Sequence, residues 1–339
     1  MNVLALTQSL CSVPSVSGEE AAVVELVTET LRAAGLFVSH QPVGTVRGRC
    51  NILCKASADA RPRLLMTTHL DTVPPFFAPR VEGEYLLGRG VIDAKGIAAA
   101  MIAAHAELLH SPLGAEVALL FVVGEETTSD GAKAAAQRFA PQVSAFVNGE
   151  PTEGLLCRAM KGVLAFELRA DGVAAHSAYP AAGHSAVHDL LDALGRLREE
   201  PWPTSDLGET TLNVGVLEGG VAPNVLAPSA RALVVMRPSV STESVLERVR
   251  ALVPPALHLE ITMQSAPVVL TELPGEPSCV VAFGSDVPHL LPLLGSAGRA
   301  LLVGPGSILD AHTDHERVRI ADLEGAVQSY VRIAKQLLA

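Results

Sequence analysis

The chain has 339 residues, of which 49% are hydrophobic, and its formal net charge is −11 at pH 7. This length favours two domains, and the hydrophobic share is enough for a sizeable core. The acidic balance argues against a nucleic acid or an anionic membrane as the partner, because both need a clustered basic surface. A small-molecule substrate fits this composition better.

The start of the chain lacks the features of an export signal, because no basic region precedes the modest apolar run in MNVLALTQSLC. No apolar stretch approaches the roughly 18 to 20 residues that a membrane-spanning helix needs. The five cysteines are odd in number and include no CxxC pair, which favours buried thiols in a reducing compartment over a disulfide framework. We therefore expect a cytoplasmic protein.

Strands and helices are predicted to alternate in the first and last parts of the chain. The first predicted helix follows Ser17 and Glu20, which have the spacing of a capping box, and it ends at Gly35. Helical stretches such as GIAAAMIAAHAELLH separate the strand-like apolar runs, which cover residues 64–68, 117–123, 145–147 and 300–303. This alternation predicts an α/β fold, with a mostly parallel sheet and helices on both faces.

The pattern changes between about residues 159 and 265. There the predicted order is strand, helix, two strands, helix and strand, which is the βαββαβ order of a ferredoxin-like domain. We therefore expect a discontinuous catalytic domain, residues 1–158 and 266–339, and an inserted lid or dimerisation domain, residues 159–265.

Acidic and imidazole side chains follow the ends of the predicted strands. Ligands of open α/β sheets bind beyond the carboxyl ends of the strands, so these positions are candidates for a site. Taken singly, each has an ordinary explanation as a helix cap, a surface histidine or a solvated loop residue. Together they would raise one another's pKa unless a cation neutralised them. The residues are His69, Asp71, Asp93, Glu125, Glu126, Glu150 and His312.

This set of side chains predicts a metal site. Histidine and carboxylate ligands favour Zn²⁺, with Co²⁺ or Mn²⁺ as alternatives. Two histidines and at least three carboxylates exceed the needs of one tetrahedral ion. We therefore expect two divalent ions that share a bridging carboxylate.

Five segments, in this order along the chain, resemble motifs of the M20 metallopeptidase family, and in particular its acetylornithine deacetylase and succinyl-diaminopimelate desuccinylase branch. They are THLDTVP, GRGVIDAKG, GEETTSDGA, NGEPTE and GPGSILDAHTDHERV. The resemblance implies that His69, Asp93 and Glu150 bind one ion. It implies that Glu126, His312 and the shared Asp93 bind the other.

The resemblance also implies roles for residues that are not ligands. Asp71 would orient a ligand imidazole, and Glu125 would be the general base. His176 would reach the active site of a partner subunit and help to hold the oxyanion. Asn224 and Arg237 would contact the substrate, the arginine by clamping a carboxylate.

One departure from the family pattern concerns the last motif, where His315 stands in place of the usual acidic residue. We prefer His312 as the ligand, because it follows the glycine-rich turn at the spacing of the family. Asp286 aligns with a family acid near the substrate pocket.

The expected function is that of a dinuclear zinc hydrolase that cleaves the amide bond of a small N-acyl amino acid, with N-acetylornithine as the first candidate. The alternatives in the same class are desuccinylation of succinyl-diaminopimelate, deacetylation of acetylcitrulline or acetyl-lysine, and cleavage of small peptides. A mononuclear aminopeptidase and a metal-binding module without turnover also stay open. We expect a homodimer through the inserted domain, because the role of His176 requires a partner and the edge strands of such a domain can pair across a two-fold axis.

Overall fold

The structure is a computed structural model that describes residues 1–339, apart from the side chain of Arg138. The α-helices are α1 (Val3–Cys11), α2 (Ala21–Ala33), α3 (Lys95–Leu108), α4 (Asp130–Arg138), α5 (Ala186–Glu199), α6 (Thr242–Leu252), α7 (Val287–Leu290) and α8 (Ile320–Leu338). Among the described residues, no helix combines the length and the apolar character needed to cross a membrane.

The strands are shorter and more numerous. They are β1 (Phe37–Pro42), β2 (Cys50–Lys55), β3 (Leu64–His69), β4 (Arg80–Glu82), β5 (Tyr85–Leu87), β6 (Val117–Val122), β7 (Val143–Asn148), β8 (Leu156–Met160), β9 (Val163–Asp171), β10 (Thr204–Ser205), β11 (Gly208–Glu209), β12 (Thr211–Gly219), β13 (Ser229–Arg237), β14 (His258–Ser265), β15 (Val268–Val269), β16 (Ser278–Val281), β17 (Leu294–Leu302) and β18 (Arg317–Arg319).

The chain forms two compact units. The first consists of Met1–Arg158, Leu270–Cys279 and Ser285–Ala339, and the second consists of Ala159–Val269 and Val280–Gly284. Both chain termini therefore belong to the first unit.

The first unit is built on a sheet with the strand order β1-β2-β6-β3-β7-β17. The pairs β6–β3, β3–β7 and β7–β17 are parallel, whereas β1–β2 and β2–β6 are antiparallel. Every side chain of β3 and β6 is buried, because helices cover both faces of the parallel part. The predicted α/β class with a mostly parallel sheet is confirmed.

Helix α3 lies in the core of this unit, against β3, β6, α1 and α8. Its sequence is mostly apolar, and residues such as Ala99, Met101 and Ala103 are buried on different faces. The small alanine side chains allow close approach of the neighbouring elements. Helix α3 therefore gives a rigid base to the loop that precedes it.

The predicted capping box is wrong. The chain already forms helix α1 before it, where the Asn2 side chain accepts a hydrogen bond from the Ala5 N–H. Helix α2 then starts without a side-chain cap. Ser17 donates its hydroxyl hydrogen to Asp71 Oδ2 over 2.7 Å, and Glu20 pairs with Arg49 Nε at 2.9 Å. Both side chains form hydrogen bonds with residues that are distant in the sequence, so neither caps helix α2.

The second unit is an antiparallel sheet in the order β12-β13-β9-β14, with α5 and α6 packed on it. Alternate side chains of β13 are buried against the helices, namely Ala230, Ala232, Val234 and Met236. The chain order is βαββαβ, and the predicted ferredoxin-like domain is confirmed.

The parallel centre of the first unit brings three loops to one edge of the sheet. Strand β3 ends at His69, β6 ends just before the loop with Glu125 and Glu126, and β7 ends just before Glu150. Because neighbouring parallel strands point the same way, the residues that follow them gather at this edge.

Candidate metal centre

His69 is held in one orientation at the end of β3. Its side chain is 1% exposed, and its Nδ1 atom lies 3.0 Å from the main-chain oxygen of Asp71. Because a carbonyl oxygen only accepts hydrogen bonds, Nδ1 must carry a hydrogen. The other nitrogen, Nε2, lies 2.9 Å from Asp93 Oδ1. This imidazole therefore presents Nε2 to the centre of the cluster, as a metal ligand requires.

Asp93 lies between two imidazoles. Its Oδ1 faces His69, and its Oδ2 lies 3.1 Å from Nε2 of His312. The same Nε2 of His312 lies 3.0 Å from Glu126 Oε2. The Asp93 and Glu126 side chains are buried, whereas that of His312 is half-exposed. This arrangement places one oxygen of Asp93 on each side of the cluster.

The ligand atoms of His69, Asp93 and Glu126 all lie within 4.8 Å of one another. Glu150 is also buried, just after the end of β7, and its Oε1 accepts a hydrogen bond from Asn148 Nδ2 at 3.4 Å. The structure therefore brings His69, Asp93, Glu126 and His312 into contact, and Glu150 lies near enough for its charge to interact with those of Glu125, His69 and Asp93.

Asp71 joins the strand-end loops through its carboxylate, which is fully buried. Its Oδ1 accepts a hydrogen bond from the main-chain N–H of Glu125, and its Oδ2 accepts one from that of Glu126, both at 3.1 Å. The Ser17 hydroxyl also donates to Oδ2. Asp71 thus fixes the main chain of the two adjacent glutamates, while the side chain of Glu126 reaches His312.

Burial and mutual repulsion disfavour the ionised forms of Glu125 and Glu150, so the pKa values of these two carboxyl groups rise. Burial first, and then the negative charges of Asp286, Asp93 and Glu126, raise the pKa of Glu125 well above its ordinary value. Burial and the charge of Glu125 likewise raise the pKa of Glu150. A divalent cation at this place would relieve the repulsion.

The imidazoles respond in the opposite direction. Burial lowers the pKa of His69, but its hydrogen bonds to Asp71 and Asp93 outweigh burial and raise it well above the ordinary value. Hydrogen bonds to Asp93 and Glu126 raise the pKa of His312 to about 10. Protons on the histidines thus compensate for the carboxylates. Binding of a metal ion would release these protons, because histidine binds metal as a neutral ligand.

The residues present therefore fit a divalent-metal centre. The donors are imidazole nitrogens and carboxylate oxygens, they are buried, and Asp93 has an oxygen for each of two positions. Such a set suits Zn²⁺ and neighbouring transition metals better than Mg²⁺ or Ca²⁺, which prefer oxygen ligands alone.

Comparison with known proteins decides the family. Residues 65–336 match the model of "Peptidase family M20/M25/M40". The chain belongs to the M20 peptidase family. It is therefore a metal-dependent hydrolase.

A probable carboxypeptidase of Aspergillus clavatus is 37% identical to this M20 peptidase, over 99% of this chain and 82% of the relative. A solved tripeptidase from Staphylococcus aureus has the same fold, with a TM-score of 0.84 and 20% identity over 99% of this chain and 98% of that one. A Bacillus subtilis protein described as a dinuclear metal-binding peptidase of the M20 family gives a TM-score of 0.71 and 13% identity, over 98% and 96% of the two chains. These relatives do not support the predicted deacetylase and desuccinylase branch.

The predicted substrate residues of the M20 peptidase lie in the second unit. The main chain beside His176 is joined to Asn224, because the Ser177 N–H donates a hydrogen bond to the Asn224 carbonyl at 3.0 Å. The Nδ1 atom of His176 accepts a hydrogen bond from the Ala178 N–H. Arg237 ends β13 and is half-buried. Among the described contacts, none joins Arg237 to the other two predicted residues.

The glycine-rich turn before His312 packs against the metal centre. A Cβ atom on Gly304 would lie 2.4 Å from the main-chain oxygen of Glu150, so a larger residue would push the two segments apart. The Gly304 N–H donates to the Thr152 hydroxyl at 3.1 Å. His312 has φ of 62°, whereas His315 is exposed on the following turn.

Two further acids, Asp286 and Glu316, lie near the candidate metal centre. Asp286 is 2% exposed, and burial raises its pKa to about 6. Its Oδ1 atom has no hydrogen-bond partner among the described residues. Glu316 is fully buried and pairs with Arg89. Alignment to the family pointed to Asp286, but nothing in the local pattern around Glu316 indicates burial.

Proposed function

We propose that this M20 peptidase is a dinuclear zinc enzyme that hydrolyses the amide bond next to the free carboxylate of a short peptide. The carrying observation is the position of Asp93 between His69 and His312, beside the buried carboxyl group of Glu125. The carboxypeptidase name of the Aspergillus relative supports the choice of bond. The dinuclear description of the Bacillus subtilis protein supports two ions.

In this proposal His69, Asp93 and Glu150 hold one ion, and Glu126, His312 and the shared Asp93 hold the other. When bound, the ions polarise the amide carbonyl and lower the pKa of the attacking water. Zn²⁺ is the proposed metal, with Co²⁺ or Mn²⁺ as alternatives, because the donors combine imidazole and carboxylate.

Glu125 is the proposed general base. Its raised pKa brings the carboxylate closer to the pH at which it must accept a proton and later return it. It takes a proton from the attacking water and passes it to the departing amine. Asp71 fixes the main chain of Glu125, so the carboxylate keeps its place through both transfers.

Substrate binding is assigned to residues of the second unit. The guanidinium of Arg237 is half-buried, burial lowers its pKa, and no carboxylate among the described residues pairs with it. We propose that it binds the free carboxylate of the substrate, and that Asn224 contacts the substrate beside it.

His176 is proposed as a donor to the oxyanion. Because its Nδ1 accepts the Ala178 N–H, the hydrogen of the neutral ring resides on Nε2, which is then available to donate. We propose that it acts in the site of a partner subunit within a homodimer formed through the second unit. The edge strands β12 and β14 of that unit support this proposal, because edge strands can pair across a two-fold axis.

Deacylation of an N-acyl amino acid is the second candidate, and N-acetylornithine is its first substrate. The half-buried Arg237 supports it equally well, because an N-acyl amino acid also carries a free carboxylate next to an amide bond. Succinyl-diaminopimelate, acetylcitrulline and acetyl-lysine belong to the same candidate class.

A matched substrate panel tests the proposal. The compounds are a dialanine peptide, its N-acetyl form, its C-terminal amide and N-acetylornithine, each incubated with metal-depleted protein and with protein reloaded with Zn²⁺, Co²⁺ or Mn²⁺. We expect the peptide and its N-acetyl form to be cleaved, and the amide to resist, because the amide lacks the carboxylate. Cleavage of N-acetylornithine alone would favour the second candidate.

Metal content separates the remaining alternatives. Two ions per chain at full activity support the dinuclear proposal, whereas one tightly bound ion with full activity would contradict it. A protein that binds metal but hydrolyses nothing in the panel would be a binding module. Activity that survives removal of metal would overturn the proposed function itself.

A further inference from the structure

The loop that carries Asp93 is buried, and three of its main-chain N–H groups donate to one side chain. Glu316 Oε1 accepts the main-chain N–H groups of Gly90 at 2.9 Å, Ile92 at 3.1 Å and Asp93 at 3.4 Å. Buried N–H groups need an acceptor, and this loop lies outside the strands and helices that would supply one. The position of the Asp93 main chain therefore depends on a carboxylate that is distant in sequence.

The same carboxylate is anchored by a cation. Glu316 Oε2 accepts a hydrogen bond from Arg89 Nη1 at 2.7 Å, and both side chains are 1% exposed or less. Arg89 Nε in turn donates to the Pro75 carbonyl, and its guanidinium lies 5.2 Å from the centre of the Phe77 ring. A buried ion pair is seldom more stabilising than apolar packing of the same volume, so its value here lies in fixing geometry.

The strand pair β5–β18 brings Glu316 to this place. Strand β18 begins at Arg317, opposite Leu87 at the end of β5. The Gly88 N–H, at the start of the Asp93 loop, donates to the main-chain oxygen of Glu316 at 3.1 Å. Glu316 also follows His312 closely in the chain. It therefore touches the loop of one proposed ligand and belongs to the loop of another.

We propose that Glu316, anchored by Arg89, is a positioning residue that holds the Asp93 loop and the His312 loop in the mutual placement that two metal ions need. This inference rests on the proposed metal centre, and it adds a residue that contacts neither metal nor substrate. Removing it should loosen the spacing between Asp93 and the two imidazoles, and should therefore weaken metal binding more than it weakens the fold.

The variant E316Q tests this inference in the full-length protein. The glutamine oxygen can still accept main-chain N–H groups, but its amide NH₂ would meet Arg89 as a second donor. Zn²⁺ is titrated into the metal-free protein by calorimetry, and the absorption spectrum of the Co²⁺ form is recorded. We expect E316Q to bind Zn²⁺ at least about 10-fold more weakly, the lower end of the range for residues that support ligands, with an altered Co²⁺ spectrum.

The matched control is E276Q, which breaks another Arg–Glu pair of the first unit. Glu276 accepts hydrogen bonds from Arg332 at 2.7 and 3.0 Å, between helix α8 and the segment 270–279. We expect E276Q to keep the Zn²⁺ affinity and the Co²⁺ spectrum of the parent protein.

The second variant is R89K, which keeps a positive charge but cannot reproduce both hydrogen bonds of Arg89. We expect it to weaken Zn²⁺ binding in the same direction as E316Q, while circular dichroism of the metal-free protein stays unchanged.

Two results would overturn the inference. One is parental Zn²⁺ affinity in folded E316Q and R89K. The other is loss of the fold in both metal-free variants but not in E276Q, because Glu316 would then serve the fold rather than the placement of Asp93. A parent protein that binds no Zn²⁺ would instead contradict the proposed function, so the two failures are distinguishable.

Discussion

The main-chain N–H of Glu125 donates a hydrogen bond to Asp71 Oδ1 over 3.1 Å. Because Asp71 receives further hydrogen bonds from Glu126 N–H and the Ser17 hydroxyl, its carboxylate acts as an acceptor on both oxygens. In the variant D71N, an amide NH₂ group replaces one carboxylate oxygen, and this group cannot accept the hydrogen bonds that the oxygen received. We expect kcat/KM to fall by about 10- to 100-fold.

The variant S17A provides a graded comparison for D71N, because it removes one of the three donors and leaves both main-chain hydrogen bonds in place. We expect its kcat/KM to lie between those of the parent protein and D71N. Steady-state kinetics on the dialanine peptide measures both. Parental kcat/KM in D71N would show that the Asp71 hydrogen bonds do not support catalysis.

Glu125 and Glu126 are neighbours with different surroundings, and the two glutamine variants should separate their roles. Burial raises the pKa of both carboxyl groups, that of Glu125 well above its ordinary value, and Glu126 also contacts His312. We expect E125Q to lower kcat by at least about 100-fold, the usual minimum for loss of a general base, and to keep its metal content. We expect E126Q to lose metal during dialysis. Metal analysis and initial rates measure both, and the reverse pattern would exchange the two assignments.

The clustering of the candidate ligands could be predicted from the sequence because it follows from topology. His69, Glu126 and Glu150 come directly after apolar runs that form neighbouring parallel strands, and such strands end at the same edge. The α/β class follows from the same alternation. The order of residues along the chain predicts this clustering, whereas the choice of Glu126 over Glu125 as a ligand came only from the resemblance to the M20 family.

Long-range hydrogen bonds could not be predicted in this way. Glu316 lies between His315 and Arg317, both exposed, and resembles a residue of a solvated turn until β18 pairs with β5. Ser17 has the local pattern of a helix cap, but its hydroxyl binds Asp71 instead. In both cases the side chain forms a hydrogen bond with a residue that is distant in the sequence, and the local pattern does not indicate this partner.

The stability of the metal-free protein should fall as the pH rises. A carboxyl group whose pKa is raised in the folded state destabilises the fold increasingly from its unfolded pKa upward, as for Asp286 between 3.8 and about 6. A histidine with a raised pKa contributes stability below its unfolded value, and this is lost as the pH rises through the folded value, about 10 for His312. Between pH 6 and pH 9 the Asp286 carboxyl group is already largely ionised, so the loss of the His312 contribution above pH 6.5 makes stability fall in this range.

Thermal unfolding of chelator-treated protein measures this dependence. We expect Tm to fall from pH 6 to pH 9 by no more than a few degrees, because solvent screens the half-exposed His312 and a large domain changes by about 2 °C per kcal/mol. Zn²⁺-loaded protein is the control at each pH. Its Tm should change less, because the metal ions stabilise the ionised carboxylates. Equal slopes for the two forms would contradict the proposed link between these carboxylates and metal.

Mixing two inactive variants tests whether His176 acts in a partner subunit. In E125Q the general base is lost, and in H176A the proposed oxyanion donor is lost. If His176 acts in the partner's site, each mixed dimer contains one site with both residues intact. Random mixing should then recover about a quarter of the parental activity, because half of the dimers are mixed and each has one of two sites active.

The control for this experiment is H188A, which changes an exposed histidine of the same unit and should keep parental activity. Sedimentation of the parent protein measures the oligomeric state in parallel. The two variants must be unfolded and refolded together, so that subunits exchange fully. A mixture no more active than its components would place His176 in the site of its own chain or outside catalysis, and sedimentation as a monomer would exclude the shared site.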